Sequence, residues 1–189
     1  MFKKGIKGLV LVLLLLTLFG CSSKKIKIVN NNASEAGPGP LTKENVSLAG
    51  IHIGDSQEQV LKLYGEPTKK DKFPTTPFVR WYYEDLGLSV AFYRRGENEP
   101  VIGGVVDIQI SAPSKLTTDT GIGLGDSLEY ITKKYDVVYS FQPNGKYQSV
   151  FINGANKEEI NGLYYPHLDF SLENNKITRI ILTNQQQRP

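Results

Sequence analysis

Cysteine is nearly absent from this 189-residue sequence, which contains only Cys21. A single cysteine excludes any disulfide bond within the chain, so the fold must depend on a packed core. Histidine is scarce as well, with only His52 and His167. Structural zinc sites usually have four Cys or His ligands and catalytic sites have three protein ligands, so the sequence predicts no metal centre. We expect His52 to pack as a neutral side chain and His167 to lie in a turn or at the surface.

Signatures of nucleotide binding and of nucleophilic catalysis are missing too. The glycine-rich stretch at 121–125 has the wrong spacing for a dinucleotide-binding loop, and the Asn-Gly-Lys stretch at 144–146 is followed by Tyr147 instead of Ser or Thr. There is no GxSxG elbow. Asp55 and Asp126 could form a carboxylate pair, but helix capping explains both. The sequence therefore predicts no enzyme activity, no nucleotide ligand and no cofactor.

The long hydrophobic run, Leu9–Phe19, is too short to cross a membrane, because a spanning helix needs about 20 apolar residues. Three lysines precede this run, an arrangement typical of an export signal over residues 1–20. Leu18-Phe19-Gly20-Cys21 resembles the lipobox of bacterial lipoproteins. The resemblance implies cleavage before Cys21 and attachment of lipid to its thiol. Two or more acyl chains anchor a protein stably to a membrane.

Removal of residues 1–20 also changes the charge of the chain. The formal charge is +3, and the signal contains three lysines and no acidic residue, so the remaining chain is neutral. A neutral chain has no overall field to attract nucleic acid. Residues 21–47, which follow the signal, are rich in polar residues, glycine and proline, and this composition predicts a flexible tether. We expect a lipid-anchored domain on the extracytoplasmic face of a bacterial cell membrane.

One segment of the chain occurs twice at an offset of 71 residues. Positions 50–64 and 121–135 are identical at eight of fifteen places, where chance would give about one. In each copy a Gly-Asp-Ser stretch, at 54–56 and 125–127, leads into apolar residues at helical spacing, which predicts a short helix. The N-cap oxygen is predicted to come from Ser56 in the first copy and from Asp126 or Ser127 in the second. Ser56 and Asp126 are each followed three residues later by Gln or Glu, the spacing of a capping box. The sequence therefore predicts an internal duplication.

Alternating apolar residues follow each predicted helix and predict antiparallel strands. The predicted strands are 78–84, 88–93 and 105–110 in the first copy, and 147–152, 163–165, 168–172 and 177–182 in the second. Asn174-Asn175 is predicted as the tight turn of the last hairpin. We therefore predict an α+β fold of two tandem repeats, 48–115 and 116–183, with a polar tail over 184–189. Each repeat is a short helix packed on an antiparallel β-meander.

Strand alternation assigns side chains to two faces of the predicted sheet. The apolar face forms the predicted core, to which β-strand 105–110 contributes Val106, Ile108 and Ile110. The opposite face mixes tyrosine, arginine and small polar groups, and tyrosine and arginine are frequent at interface hot spots. The candidate partner-binding residues on this face are Arg80, Tyr82, Tyr93, Asp107, Gln109 and Asp169. A solvated face of a one-sided sheet is the alternative.

Three segments carry a resemblance to a known family: 54–60 (Gly-Asp-Ser-Gln-Glu-Gln-Val), 64–67 (Tyr-Gly-Glu-Pro) and 125–131 (Gly-Asp-Ser-Leu-Glu-Tyr-Ile). Over about 48–183 the chain resembles the β-lactamase-inhibitory-protein-like repeat of the SmpA/OmlA-like superfamily. It is most similar there to secreted or lipid-anchored bacillus-type proteins with a two-copy domain of unknown function. Members of the superfamily bind other proteins, so the resemblance implies a protein-binding module. This chain lacks the paired cysteines of the inhibitor and has a single tryptophan.

These patterns predict a non-catalytic module that binds another envelope or secreted protein through its exposed sheet face. Two alternatives remain open at this point. One is a structural or assembly lipoprotein of the cell envelope, and the other is a cell-surface hydrolase or metal-dependent enzyme.

Overall fold

The computed structural model describes residues 26–28, 36–72, 77–94, 101–136, 138–141, 147–157 and 162–184. Residues 1–20, Cys21 and nearly all of the predicted tail lie outside the described residues, so cleavage and lipidation stay predictions. Within the described ranges, no helix is both long and apolar enough to span a membrane.

The described chain forms an α+β fold with two short helices and a mostly antiparallel sheet. The helices are α1 (Gln57–Tyr64) and α2 (Leu128–Lys134), and a 3₁₀ turn covers Glu84–Leu86. The strands are β1 (Ile26–Ile28), β2 (Lys69–Lys72), β3 (Phe78–Tyr83), β4 (Leu88–Arg94), β5 (Val101–Ser111), β6 (Val138–Phe141), β7 (Tyr147–Ile152), β8 (Asn156–Lys157), β9 (Tyr164–Tyr165), β10 (His167–Glu173) and β11 (Lys176–Thr183).

Nine strands form one sheet in the order β1-β6-β7-β10-β11-β5-β4-β3-β2, while β8 pairs with β9 separately. β5 and β11 pair antiparallel at the centre of this order. The strands that follow α1 (β2 to β5) form the first half of the sheet, and β6, β7, β10 and β11 form the second half. A single hydrophobic core contains residues of both halves and of both helices. The predicted units 48–115 and 116–183 therefore share one sheet and one core.

Serine hydroxyls cap both helices. Ser56 and Ser127 each accept the backbone N–H three residues further on, at 3.2 Å and 3.4 Å. Ser56 completes the capping box, because its own N–H donates to Gln59 Oε1 at 2.7 Å. Of the predicted pair Asp126–Ser127, Ser127 is therefore the cap. Capping by Asp55 and Asp126 is wrong, since their carboxylates accept the N–H groups of His52 and Gly123 in the preceding loops, both at 2.8 Å. The serine after the aspartate is the better cap because its oxygen faces the first turn.

The loops before the two helices bond to the sheet in the same way. The N–H of Gly54 donates to the carbonyl of Val105 at 2.8 Å, and the N–H of Val105 donates to the carbonyl of Asp55 at 2.8 Å. The loop at 125–126 makes the same two bonds with Ile177, at 2.8 Å and 2.9 Å. Each helix is thereby attached to the strand that lies at the centre of the sheet.

A β-bulge changes the predicted core of β5. Phe92 pairs with Val105, but the residue before Phe92 pairs with Asp107, which leaves Val106 as the extra residue. Val105 is therefore buried in the core while Val106 is only half-buried. The assignment of Val106 to the core face is wrong because an inserted residue reverses the alternation on one side of the bulge.

The predicted tether extends too far along the chain. Residues 36–41, which we call the N-terminal segment, lie against the loop after β7. Gly39 N–H donates to Gly154 O at 2.9 Å, and Leu41 N–H donates to Asn153 O at 3.3 Å. A Cβ on Gly39 would lie 2.1 Å from Asn153 O, so this approach requires glycine. The prediction of a tether over 21–47 is therefore wrong for 36–47, and β1 also joins the sheet, parallel to β6.

Candidate functional site

The sheet face opposite the core, which we call the outer face, carries all six residues that the sequence predicts as partner-binding. A continuous row of paired residues crosses it from one half to the other. The row consists of Lys69, Tyr82, Ser89, Gln109, Ile181, Asp169, Phe151 and Tyr139. Antiparallel pairing holds neighbouring side chains of such a row about 5 Å apart, so they act as one surface.

Arg80 and Asp107 form an ion pair on the outer face. Arg80 Nη1 lies 2.7 Å from Asp107 Oδ1 and donates to Ser89 Oγ at 3.1 Å. Asp107 is only 5% exposed, and burial raises the pKa of its carboxyl, an effect that the positive charge of Arg80 opposes. Asp107, one of the candidate partner-binding residues, is therefore buried beside Arg80. Its role is to hold the guanidinium in one position.

Asp169 is a second, half-buried carboxylate of this face and lies in the other half of the sheet. Ser149 Oγ donates to Asp169 Oδ2 at 2.5 Å. Burial raises the pKa of Asp169, while the bond from Ser149 and the charge of Arg179 lower it. Arg179 in turn donates from Nη2 to Ser171 Oγ at 3.1 Å. Sequence alternation could have pointed to Ser149 and Arg179, but only the register shows that they surround Asp169.

Tyr82 and Gln109 line a groove at the end of the first half of the sheet. The groove has a volume of about 240 Å³ and is lined by Tyr82, Glu84, Gly87, Leu88, Ser89, Gln109, Ser111 and Ala112. Lys69 Nζ lies 5.3 Å from the centre of the Tyr82 ring, within the range of a cation–π contact. The structure therefore brings together Arg80, Tyr82 and Gln109 around Ser89.

Tyr93 lies apart from this groove. It pairs with Phe78, and the two rings meet edge to face with their centres 6.4 Å apart. Asp169 is also separated from the groove, because Gln109 and Ile181 stand between it and Ser89 in the row. The six predicted residues therefore share one face, but they do not form one cluster.

His167 contributes to the outer face in a way that the sequence does not indicate. Its ring centre lies 5.2 Å from that of Phe151, and its Nδ1 is 2.9 Å from Asn153 Oδ1. Burial lowers the pKa of His167 to about 4, so the imidazole is neutral at pH 7. His167 is the first residue of β10, as expected from its place after Pro166, and it is half-buried against Phe151 and Asn153 and not part of a turn.

His52 also differs from its prediction. Its side chain is 44% exposed and its Nδ1 lies 3.8 Å from Asp55 Oδ2, so it is not packed in the core. Asp55 accepts the backbone N–H of His52 at 2.8 Å, which fixes the loop before α1. Within the described ranges, no group of three or more His, Cys, Asp or Glu residues is placed to hold a metal ion.

Searches against models of known protein families and against curated proteins find no match. Among solved structures, the chain is similar to an extracellular protein containing an SCP domain from Bacillus anthracis str. Ames, with 17% identity and a TM-score of 0.41. The similarity covers 86% of this chain and 50% of that protein, so this chain spans about half its length. A second similar structure is a proposed beta-lactamase inhibitor protein from Streptococcus mutans, with 15% identity, a TM-score of 0.27 and coverage of 80% and 91%.

Proposed function

We propose that this protein is a non-catalytic, protein-binding module, held by a lipid on Cys21 at the extracytoplasmic face of a bacterial membrane. The observation that carries the proposal is the groove on the outer face and the fixed positions of the side chains around it. Arg80 is held by Asp107 and Ser89, and Lys69 lies over Tyr82. Side chains that are already ordered lose little entropy when a partner binds, so such a surface favours association.

The position of β1 supports an orientation for the anchored module. Four residues separate Cys21 from Ile26, and the five steps of a fully extended chain between them span at most about 18 Å. The β1 edge of the sheet therefore stays near the lipid, while β2 forms the opposite end of the strand order. In this arrangement the Tyr82 groove lies in the half of the sheet that is farther from the membrane.

The duplication is part of the same proposal. The matching loop bonds of 54–55 and 125–126, together with the two serine caps, support descent of both halves from one helix-and-strand unit. Val60 and Ile131 are both fully buried in the shared core at equivalent places of the repeat. Random mutagenesis with selection for folded protein tests this: the two positions should accept the same restricted set of apolar residues.

The function is tested by photo-crosslinking in intact cells. A photoreactive amino acid replaces Tyr82, or replaces Tyr164, a matched tyrosine that also lies under a lysine but belongs to β9. We expect a defined protein adduct from position 82 and a much weaker one from position 164. Equal labelling from both positions, or no adduct from either, would contradict a partner surface at the groove.

The anchor is tested separately by membrane fractionation. The protein should sediment with membranes, and Cys21→Ser should release it or leave its signal uncleaved. Mass spectrometry of the N-terminal peptide should find two or more acyl chains on the native cysteine. A mature protein with an unmodified thiol would refute the anchor and leave the crosslinking result unaffected.

A further inference from the structure

Tyr82 and Phe151 occupy matching positions in the two halves of the sheet. From the central strands outward, the paired residues run Gln109, Ser89, Tyr82 and Lys69 in the first half. In the second half they run Ile181, Asp169, Phe151 and Tyr139. Gln109 and Ile181 pair with each other at the centre of the sheet, so residues at the same number of strands from this pair occupy matching positions in the two halves. The surroundings of the two aromatic rings can therefore be compared position by position.

In the second half the Phe151 ring is covered. It is only 2% exposed, although it points away from the main core. The Tyr139 ring stacks on it with centres 5.5 Å apart, and the His167 ring lies 5.2 Å away. Ala36 of the N-terminal segment completes this small apolar cluster. A segment of the chain itself therefore occupies this part of the outer face.

Hydrogen bonds hold the N-terminal segment in that position. The carbonyl of Gly37 accepts Asn153 Nδ2 at 3.0 Å and Tyr139 Oη at 3.4 Å. The segment has the sequence Ala-Gly-Pro-Gly-Pro-Leu and carries no charged side chain. Glycine permits the close approach to the sheet, and proline keeps such a segment extended and limits the entropy lost on docking.

In the first half, fewer groups surround the Tyr82 ring than surround the Phe151 ring in the second. Lys69 takes the position of Tyr139. Gly87 takes the position of His167, because each lies directly before a buried leucine of its strand, Leu88 in β4 and Leu168 in β10. Among the described residues, none takes the place of the N-terminal segment over Tyr82. The groove of about 240 Å³ lies there. This volume is below the range of about 300–1,000 Å³ that is usual for small-molecule sites.

The charges around the groove disfavour an acidic occupant. Lys69 Nζ lies 2.8 Å from Asp71 Oδ2, and Arg80 pairs with Asp107 at 2.7 Å. Opposite charges at these distances largely cancel each other for an approaching chain. The carboxylate of Glu84, which also lines the groove, would repel an acidic segment. The tyrosine ring and the Ser89 and Gln109 side chains supply apolar contact area and hydrogen-bonding groups instead.

We propose that the Tyr82 groove binds an extended segment of a partner protein that contains glycine and proline and no acidic residue. The segment covers Tyr82 as the N-terminal segment covers Phe151. This inference rests on the proposed protein-binding function and names the chemistry of the partner. It also places binding in the first half of the sheet, since the chain fills the matching place in the second half.

Fluorescence anisotropy with a labelled peptide tests the proposal. The probe is the six-residue peptide Ala-Gly-Pro-Gly-Pro-Leu with an N-terminal fluorophore, titrated with the full chain in mild detergent. Tyr82→Ala should weaken binding roughly tenfold, as expected for loss of an aromatic anchor. Gln109→Ala, a second variant of the groove, should weaken it severalfold, whereas the matched control Tyr164→Ala should bind like the wild type. Circular dichroism confirms that each variant is folded.

Two further probes identify the mode of binding. A peptide with both prolines replaced by glutamate should bind much more weakly, and a benzophenone on the original peptide should attach to β3, β4 or β5. Attachment to β6 or β7 would mean exchange with the N-terminal segment and would overturn the proposal. Absence of binding, or equal binding by wild type and Tyr82→Ala, would also overturn it. If crosslinking in cells still depended on position 82, the protein-binding function would stand and only the partner chemistry would be wrong.

Discussion

The buried imidazole of His167 makes a quantitative prediction about stability and pH. Its pKa falls from 6.5 to about 4 on folding because burial disfavours the charged form. The unfolded chain therefore binds a proton between these values while the folded chain does not. By linkage, the stabilising contribution of neutral His167 is complete above pH 6.5 and is lost as the pH falls toward 4.

The size of the effect follows from the size of the shift. One pKa unit corresponds to about 1.4 kcal/mol, so the full loss of folding stability due to His167 approaches about 3 kcal/mol. About 2 kcal/mol of this loss occurs between pH 7 and pH 5. Asp107 and Asp169 act in the opposite direction. Burial raises the pKa of both, so acidification relieves their destabilising effect. A comparison of variants is therefore more informative than the wild-type profile alone.

The assay is urea unfolding at pH 7 and pH 5 for the wild type, His167→Gln and His52→Gln. Gln cannot take up a proton. Between pH 7 and pH 5 the free energy of unfolding of His167→Gln should therefore fall by about 2 kcal/mol less than that of the wild type. His52→Gln is the matched control, because it removes an imidazole that is 44% exposed and leaves the contribution of His167 in place. The aspartate contributions are common to all three proteins and cancel in the difference. Equal losses in the wild type and in His167→Gln would refute the burial of the imidazole.

Three further substitutions test the packing by urea unfolding at pH 7. Arg80→Met should lower the free energy of unfolding by about 3 kcal/mol, because it leaves Asp107 buried without its partner charge. The double variant Arg80→Met/Asp107→Leu should recover most of that loss. A double variant as unstable as Arg80→Met alone would contradict the ion pair. Ser56→Ala should cost about 1 kcal/mol by removing the cap of α1, and no change would exclude the capping box. Gly39→Val should release the N-terminal segment, because its Cβ would meet Asn153 O, and faster hydrogen exchange at Leu41 with a persistent sheet would confirm this.

Local sequence signals were sufficient for much of this fold. Asn174 and Asn175 have φ values of 50° and 60°, which is the left-handed geometry that a two-residue hairpin turn requires. Gly65 ends α1 with a φ of 73°, as its position before Pro67 predicts. Alternation located most strands, because a sheet with one buried face must alternate. These features depend only on residues that are adjacent in the chain.

Other features depend on the register between distant strands, and the sequence could not predict them. β2 contains three lysines and one aspartate, a composition without alternating apolar residues, because an edge strand is protected by charge. Val106 lies at a bulge that no local pattern marks. The contact of His167 with Phe151 requires β7 and β10 to be neighbours, and 16 positions separate the two residues in the chain.

The N-terminal segment shows why composition misleads where a sheet offers a surface. Glycine and proline make an isolated chain extended and solvated, so the sequence predicts a tether. Yet Gly39 allows the backbone to lie closely against Asn153, where a larger residue would collide, and Ala36 packs with Phe151. Such a segment gains apolar contact and loses little entropy, because proline has already restricted it. If the chain uses this chemistry to cover one half of its own outer face, then a partner that offers the same chemistry is suited to the other half.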